Sequence, residues 1–138
     1  MDTNFESSLT RENLRKSFLE ESALAARYSY FSLMAEFEGK TDLAIKLKDL
    51  SEVSKGNAHG ILDFLREESD PCSEVPIHDS RAALDSVLQT EIQQSTETFG
   101  NMAQIARQEG YTDIASWFDT LEKLKRIHET SLGRWKNV

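Results

Sequence analysis

The stretch EGKTDLA at 38–44 returns almost unchanged as EGYTDIA at 109–115. A glycine just beyond an amphipathic run is a left-handed helix stop, and a Thr-Asp pair just after it is a helix start. Each copy therefore reads as the corner of a helical hairpin. Between the corners, SDPCSEVPIHDS (69–80) holds both prolines of the chain and reads as an exposed crossover. Thr10 is the expected cap of a first helix that stops at Gly39. Thr41 or Asp42 caps a second that runs to about Glu68. Ser80 caps a third that stops at Gly110, and Thr112 starts a fourth that runs to about Lys136. The expected organisation is an N-terminal arm (1–9) followed by one domain (10–138). Its fold class is all-α: a four-helix bundle of two hairpins joined by a long crossover, rather than simple up-down-up-down.

Charge narrows the partners. Sixteen Lys and Arg face 24 Asp and Glu, for a net charge of −8. Such a surface repels phosphate backbones and anionic lipid, so neither nucleic acid nor membrane is expected as a partner. The opening MDTNFESSLT is acidic and polar, unlike a signal peptide, and no apolar run reaches the roughly 18 residues of a spanning helix. Cys72 is the single cysteine. It excludes internal disulfides and a four-cysteine metal knuckle, and a reducing cytoplasm is the expected location.

Helical periodicity gives each helix an inner stripe. The first runs through Leu14, Phe18, Glu21, Leu24, Tyr28, Phe31 and Ala35. The second runs through Leu43, Leu47, Leu50, Ser54, Asn57, Ile61 and Phe64. The third has Leu84, Val87, Leu88, Glu91 and Gln94, then Phe99, Met102 and Ile105. The fourth has Ile114, Trp117, Phe118, Leu121, Lys125, His128, Leu132 and Trp135. Each stripe turns polar near its middle. Glu21, Ser54, Asn57, Glu91, Gln94, Lys125 and His128 lie at matching depths from the starts of their helices. Seven polar side chains at one level of a bundle constitute a candidate site.

From Leu9 to Lys136, apart from the crossover, the chain resembles the rubrerythrin family of ferritin-like di-iron carboxylate proteins. ENLRKSFLEESALAARYSYF is similar to that family's first helix. The resemblance implies a Glu on helix 1, Glu-x-x-His on helix 2, two Glu three apart on helix 3, and a second Glu-x-x-His on helix 4. Matched through the glycine corners, the pattern falls on Glu21, on Ser54 and Asn57, on Glu91 and Gln94, and on Lys125 and His128. Ligand types are kept at Glu21, Glu91 and His128 and are replaced at Ser54, Asn57, Gln94 and Lys125.

The replacements bear on chemistry. Neutral amides and a hydroxyl cannot bridge irons as carboxylates do, and a charged ammonium has no lone pair to give a metal. With the metals gone, two glutamates would face each other in a low-dielectric interior, and Lys125 supplies the cation that offsets them. With His128 protonated, the charges of Glu21, Glu91, Lys125 and His128 cancel. Ser54, Asn57 and Gln94 add uncharged donors and acceptors. No cofactor is expected. Truncating a fully buried Lys125 would cost roughly 3–5 kcal/mol.

The leading reading is a structural or binding module with a substituted di-iron site, leaning away from enzyme. Two alternatives follow from the same residues. One is a di-iron oxidoreductase that reduces peroxide or oxidises iron, as the resemblance implies; against it, the chain shows no rubredoxin-like cysteine set. The other is a single iron or zinc ion on Glu21, Glu91 and His128.

The first helix carries more apolar surface than one core can use. Tyr30, Leu33, Met34 and Phe37 point away from its inner stripe. A helix apolar on two sides is usually buried on two sides, so a homodimer through this outer face is expected.

Overall fold

The structure is a computed structural model that describes residues 2–137, and it is all-α. A 3-10 turn (Asp2–Ser7) leads into α1 (Leu9–Phe37) and α2 (Thr41–Leu65). After the crossover come α3 (Ser80–Gln93), a π-helical turn (Gln94–Thr98), α4 (Phe99–Gln108) and α5 (Thr112–Gly133). There is no strand among the described residues. The element order is that of a ferritin-like bundle, with two hairpins joined by a crossover. The chain divides between Pro71 and Cys72 into two compact units, each built around one hairpin.

The near-repeat folds the same way twice. Gly39 and Gly110 both take positive φ, +79° and +88°. In the first unit the Lys40 N–H donates to the Ala35 carbonyl at 2.8 Å, and in the second the Tyr111 N–H donates to the Ala106 carbonyl at 2.8 Å. Both are the six-to-one bond of a Schellman motif, which satisfies carbonyls that a helix end leaves open. Lys40 (φ −92°, ψ 71°) and Tyr111 (φ −94°, ψ 72°) then occupy the N-cap positions. Neither α2 nor α5 has a side-chain cap, so Thr41 and Asp42 do not act as the expected caps of α2, while Thr112 is the first residue of α5, as expected. The corner is so tight that the N-cap of the next helix directly follows the glycine. Gly110→Ala forces a Cβ into left-handed backbone and is expected to cost about 1–2 kcal/mol in urea unfolding, although the space around the site is open.

Other starts also move from their expected places. Ser8, in extended backbone, caps α1 by accepting from the Arg11 N–H at 3.1 Å, which leaves Thr10 inside the helix. Asp79 caps α3 through Oδ1, which accepts from the Ala82 N–H at 2.8 Å, and Ser80 is the first helical residue. That hydrogen bond holds the Asp79 carboxyl below its usual range. The second helix stops at Leu65 rather than near Glu68, and the last at Gly133 rather than near Lys136.

The π-helical turn corrects the expectation of one unbroken third helix. Ser95 and Thr96 both donate side-chain hydrogen bonds to the Ile92 carbonyl, at 3.0 and 2.8 Å. Hydroxyls that compete for a helical carbonyl loosen the regular ladder. The five-residue step from Gln94 to Phe99 in the inner stripe falls across this turn. A π-turn inserts one residue per turn, and the step restores the face on which Phe99 stacks with Phe118 at 6.1 Å between ring centroids.

Within each unit the closest packing uses small side chains. Ser32, Ala35, Ala44, Ser54, Ala58 and Leu65 are buried in the first hairpin, and Ser86, Leu88, Ser95, Ala103, Ala106 and Ala115 in the second. Ser32 Oγ donates to the Ala44 carbonyl and Ser51 Oγ to the Ala25 carbonyl, each at 2.7 Å, tying α1 to α2. Several large residues expected inside are exposed: Phe31, Leu43, Phe64, Val87, Met102, Ile105, Ile114, Trp117 and Trp135. Within one two-helix hairpin, only the ridge that faces the partner helix is buried by that partner. Arg11 holds Ser69 Oγ at 2.5 Å and Arg15 holds the Pro71 carbonyl at 3.0 Å, pinning the start of the crossover to α1.

Candidate functional site

Each unit carries its own polar cluster. In the first, α1 supplies Glu21 and α2 supplies Ser54 and Asn57. Asn57 Nδ2 donates to Glu21 Oε1 at 2.7 Å, while Ser54, one turn earlier, is almost fully buried. An amide N–H on a carboxylate oxygen is a charge-assisted hydrogen bond.

The second cluster is the more constrained. Glu91 sits in the last turn of α3 with Gln94 directly after the helix, at the mouth of the π-turn. Lys125 and His128, one turn apart on α5, converge on Glu91 from across the hairpin. Lys125 Nζ donates to Glu91 Oε1 at 3.2 Å, and His128 Nδ1 lies 3.2 Å from Glu91 Oε2. Both carboxylate oxygens are therefore engaged by nitrogen. Side-chain exposure is 17% for Glu91, 22% for Lys125 and 49% for His128. The Lys–Glu pair is thus mostly shielded, whereas the imidazole is half in water. Gln94 Oε1 is fully buried and accepts no hydrogen bond among the described residues.

A second layer of contacts was not expected from the sequence. Ser95, 1% exposed, donates to Glu129 Oε2 at 3.2 Å while its carbonyl accepts from Arg126 at 3.4 Å. Arg126 also pairs with Glu122 at 3.1 Å. Lys125 and His128 thus grip Glu91 while their immediate neighbours Arg126 and Glu129 grip the π-turn. The five-residue step in the stripe was the available signal, and it marked the turn without identifying the residues that hold it.

The clusters bring Glu21 to Asn57, and Lys125 and His128 to Glu91. Among the described residues, no three His, Cys, Asp or Glu side chains are grouped so that they could hold a metal ion. The chemistry available at Glu91 is charge neutralisation. An ammonium offers three donors and no lone pair, and the lone pairs it holds on Glu91 are those a metal would need. No helix among the described residues is long and apolar enough to cross a membrane.

No protein-family model matches the chain. Several curated proteins do. The chain is 28% identical over 126 residues to a rubrerythrin of Nitratidesulfovibrio vulgaris, covering 88% of this chain and 66% of that protein. It is 27% identical over 128 residues to a rubrerythrin of Clostridium perfringens, covering 86% and 65%. Against a rubrerythrin of Porphyromonas gingivalis it is 26% identical over 133 residues, covering 94% and 66%. The chain therefore spans just under two thirds of the length of these relatives.

Proposed function

Because this chain is a relative of the rubrerythrins across most of its length, we propose that it is a rubrerythrin-like protein whose di-iron ligands have given way to a metal-free polar network. It then serves in the cytoplasm as a structural or binding module rather than as an oxidoreductase. The observation that carries this reading is the double engagement of Glu91, with Lys125 Nζ on one oxygen and His128 Nδ1 on the other.

The donor set does not fit two irons. Bridging iron takes carboxylates, and Ser54, Asn57 and Gln94 are neutral, while Lys125 puts a cation where a ligand would stand. Asn57, in the position of a family histidine, spends its amide on Glu21. Peroxide reduction and iron oxidation through a di-iron centre are therefore absent from the proposed function.

Elemental analysis of protein produced in iron-rich medium is the direct test. The expected result is far less than one iron or zinc per chain, with no peroxidase activity. Two irons per chain would overturn the proposal. One metal per chain that disappears in His128→Ala would replace it with a mononuclear site.

A further inference from the structure

We propose that Glu122, Arg126 and Glu129 form a register clamp: one side of α5 fixes where the π-turn sits, and so which residue of α3 meets Lys125 and His128. The clamp lies wholly within the second unit. It rests on side-chain contacts there and not on whether metal binds.

A π-turn is one extra residue in an α-helix, and that residue can occupy any turn with a similar number of backbone hydrogen bonds. Side chains therefore choose its place. Here the Phe99 N–H, which a regular helix would give to the Ser95 carbonyl, donates to the Gln94 carbonyl. Arg126 Nη2 approaches the Ser95 carbonyl instead, at 3.4 Å. The Ser95 hydroxyl shares its proton between the Ile92 carbonyl at 3.0 Å and Glu129 Oε2 at 3.2 Å. A hydrogen bond to a charged partner is stronger than a neutral one, so both α5 contacts weigh in favour of this place. Glu122 holds Arg126 at 3.1 Å and lies against Gly100, where an added Cβ would come within 2.5 Å of Glu122 Oε2. Residues 122, 126 and 129 follow at steps of four and three, which makes them a single ridge of α5. That ridge touches the turn at Ser95 and the helix just beyond it at Gly100.

Two stops bound the travel of the extra residue. A shift toward the C-terminus would carry Phe99 off Phe118, with which it stacks at 6.1 Å between centroids. A shift toward the N-terminus that passes Glu91 moves that residue one position along. Ile92 then takes its place opposite Lys125 and His128, and both 3.2 Å contacts to Glu91 are lost. The ring stack does not depend on the clamp, so release of the clamp sends the extra residue toward α3. Lys125 adjoins Arg126 and His128 adjoins Glu129 on the same helix. The hold on the turn and the hold on Glu91 are therefore coupled, and the state of the turn governs the polar network.

Amide hydrogen exchange of the intact chain tests the clamp. Ser95→Ala with Arg126→Leu should speed exchange at residues 92–99 roughly tenfold, while α1 and α2 keep wild-type rates. In wild type, Glu91→Gln should move the NMR signals of the His128 ring. In the double variant the ring should no longer respond to Glu91→Gln, an outcome that loosening alone does not produce. Removing Glu97 supplies a test with one substitution: the helix becomes regular, both stripes keep their faces, and Arg126→Leu should then leave exchange unchanged. Wild-type exchange in the double variant overturns the proposal, as does a His128 ring that still responds to Glu91→Gln. An equal effect of Arg126→Leu with and without Glu97 also overturns it, because the contact would then be an ordinary helix–helix one. None of these readouts measures bound metal, so the clamp and the metal-free reading fail separately.

Discussion

Lys125→Ala is expected to lower the unfolding free energy by about 2–3 kcal/mol, read from urea denaturation at neutral pH. The figure is smaller than that for a fully buried pair because Lys125 and Glu91 keep 22% and 17% of their side-chain surface in water. Truncation still strands a shielded carboxylate, whose remaining partner His128 is half exposed. The companion variant separates the cost of breaking the pair from the worth of having it. Glu91→Leu with Lys125→Met removes both charges at similar volume, and its stability is expected to return to within about 1 kcal/mol of wild type. His128→Ala should cost less than about 1 kcal/mol, as expected for a half-solvated contact. A Lys125→Ala protein as stable as wild type would show that the ammonium does not hold Glu91 in solution, and the neutralisation argument would fall with it.

Much of the architecture was legible because it is written in backbone-specific residues. Glycine followed by Thr-Asp states where a helix stops and the next begins, and both corners fold as near copies of each other. The caps were misplaced because Ser8 and Thr10, or Asp79 and Ser80, are all competent capping types. Which one serves depends on the backbone entering the helix, and periodicity carries no information about that. The stripes mixed two kinds of position. Large apolar residues announce burial somewhere, whereas the close contacts inside a hairpin fall on Ala35, Ala44, Ala58, Ala103, Ala106 and Ala115, which a hydropathy pattern scarcely marks.

The polar positions were legible for a different reason. A charged residue inside an apolar stripe costs free energy unless something opposite accepts it. That argument gathers all seven polar residues at one level without saying which pair with which; within the second unit Lys125 and His128 reach Glu91. Within the first unit Asn57 reaches Glu21. What remained hidden was Ser95. A serine on a helix is unremarkable in sequence, and only the π-turn turns it inward to Glu129. Arg126 and Glu129 hold Ser95, the residue after Gln94, and the buried Oε1 of Gln94 has no partner among the described residues. Gln94 lies one turn from Glu91, so a carboxylate placed there would face the same cluster.

That position carries the largest expected effect. Gln94→Glu with Lys125→Glu gathers three carboxylates beside His128, all within the second unit. Without metal, the variant should be less stable than Lys125→Ala, because the new acid faces Glu91 in place of an ammonium. With metal it should recover: one zinc or ferrous ion on three protein ligands is a sufficient sphere. At about 100 times the dissociation constant, binding would add about 2.7 kcal/mol, seen as a rise in melting temperature that chelator reverses. Wild type should show no such rise, and His128→Ala in the variant should diminish it. A variant that ignores metal would mean that residues 91, 94, 125 and 128 do not converge as ligands, which removes the residue-by-residue match to the family site. A wild type that gains as much as the variant would mean that Lys125 yields to a metal, and that its contact with Glu91 is a default geometry rather than the replacement of one.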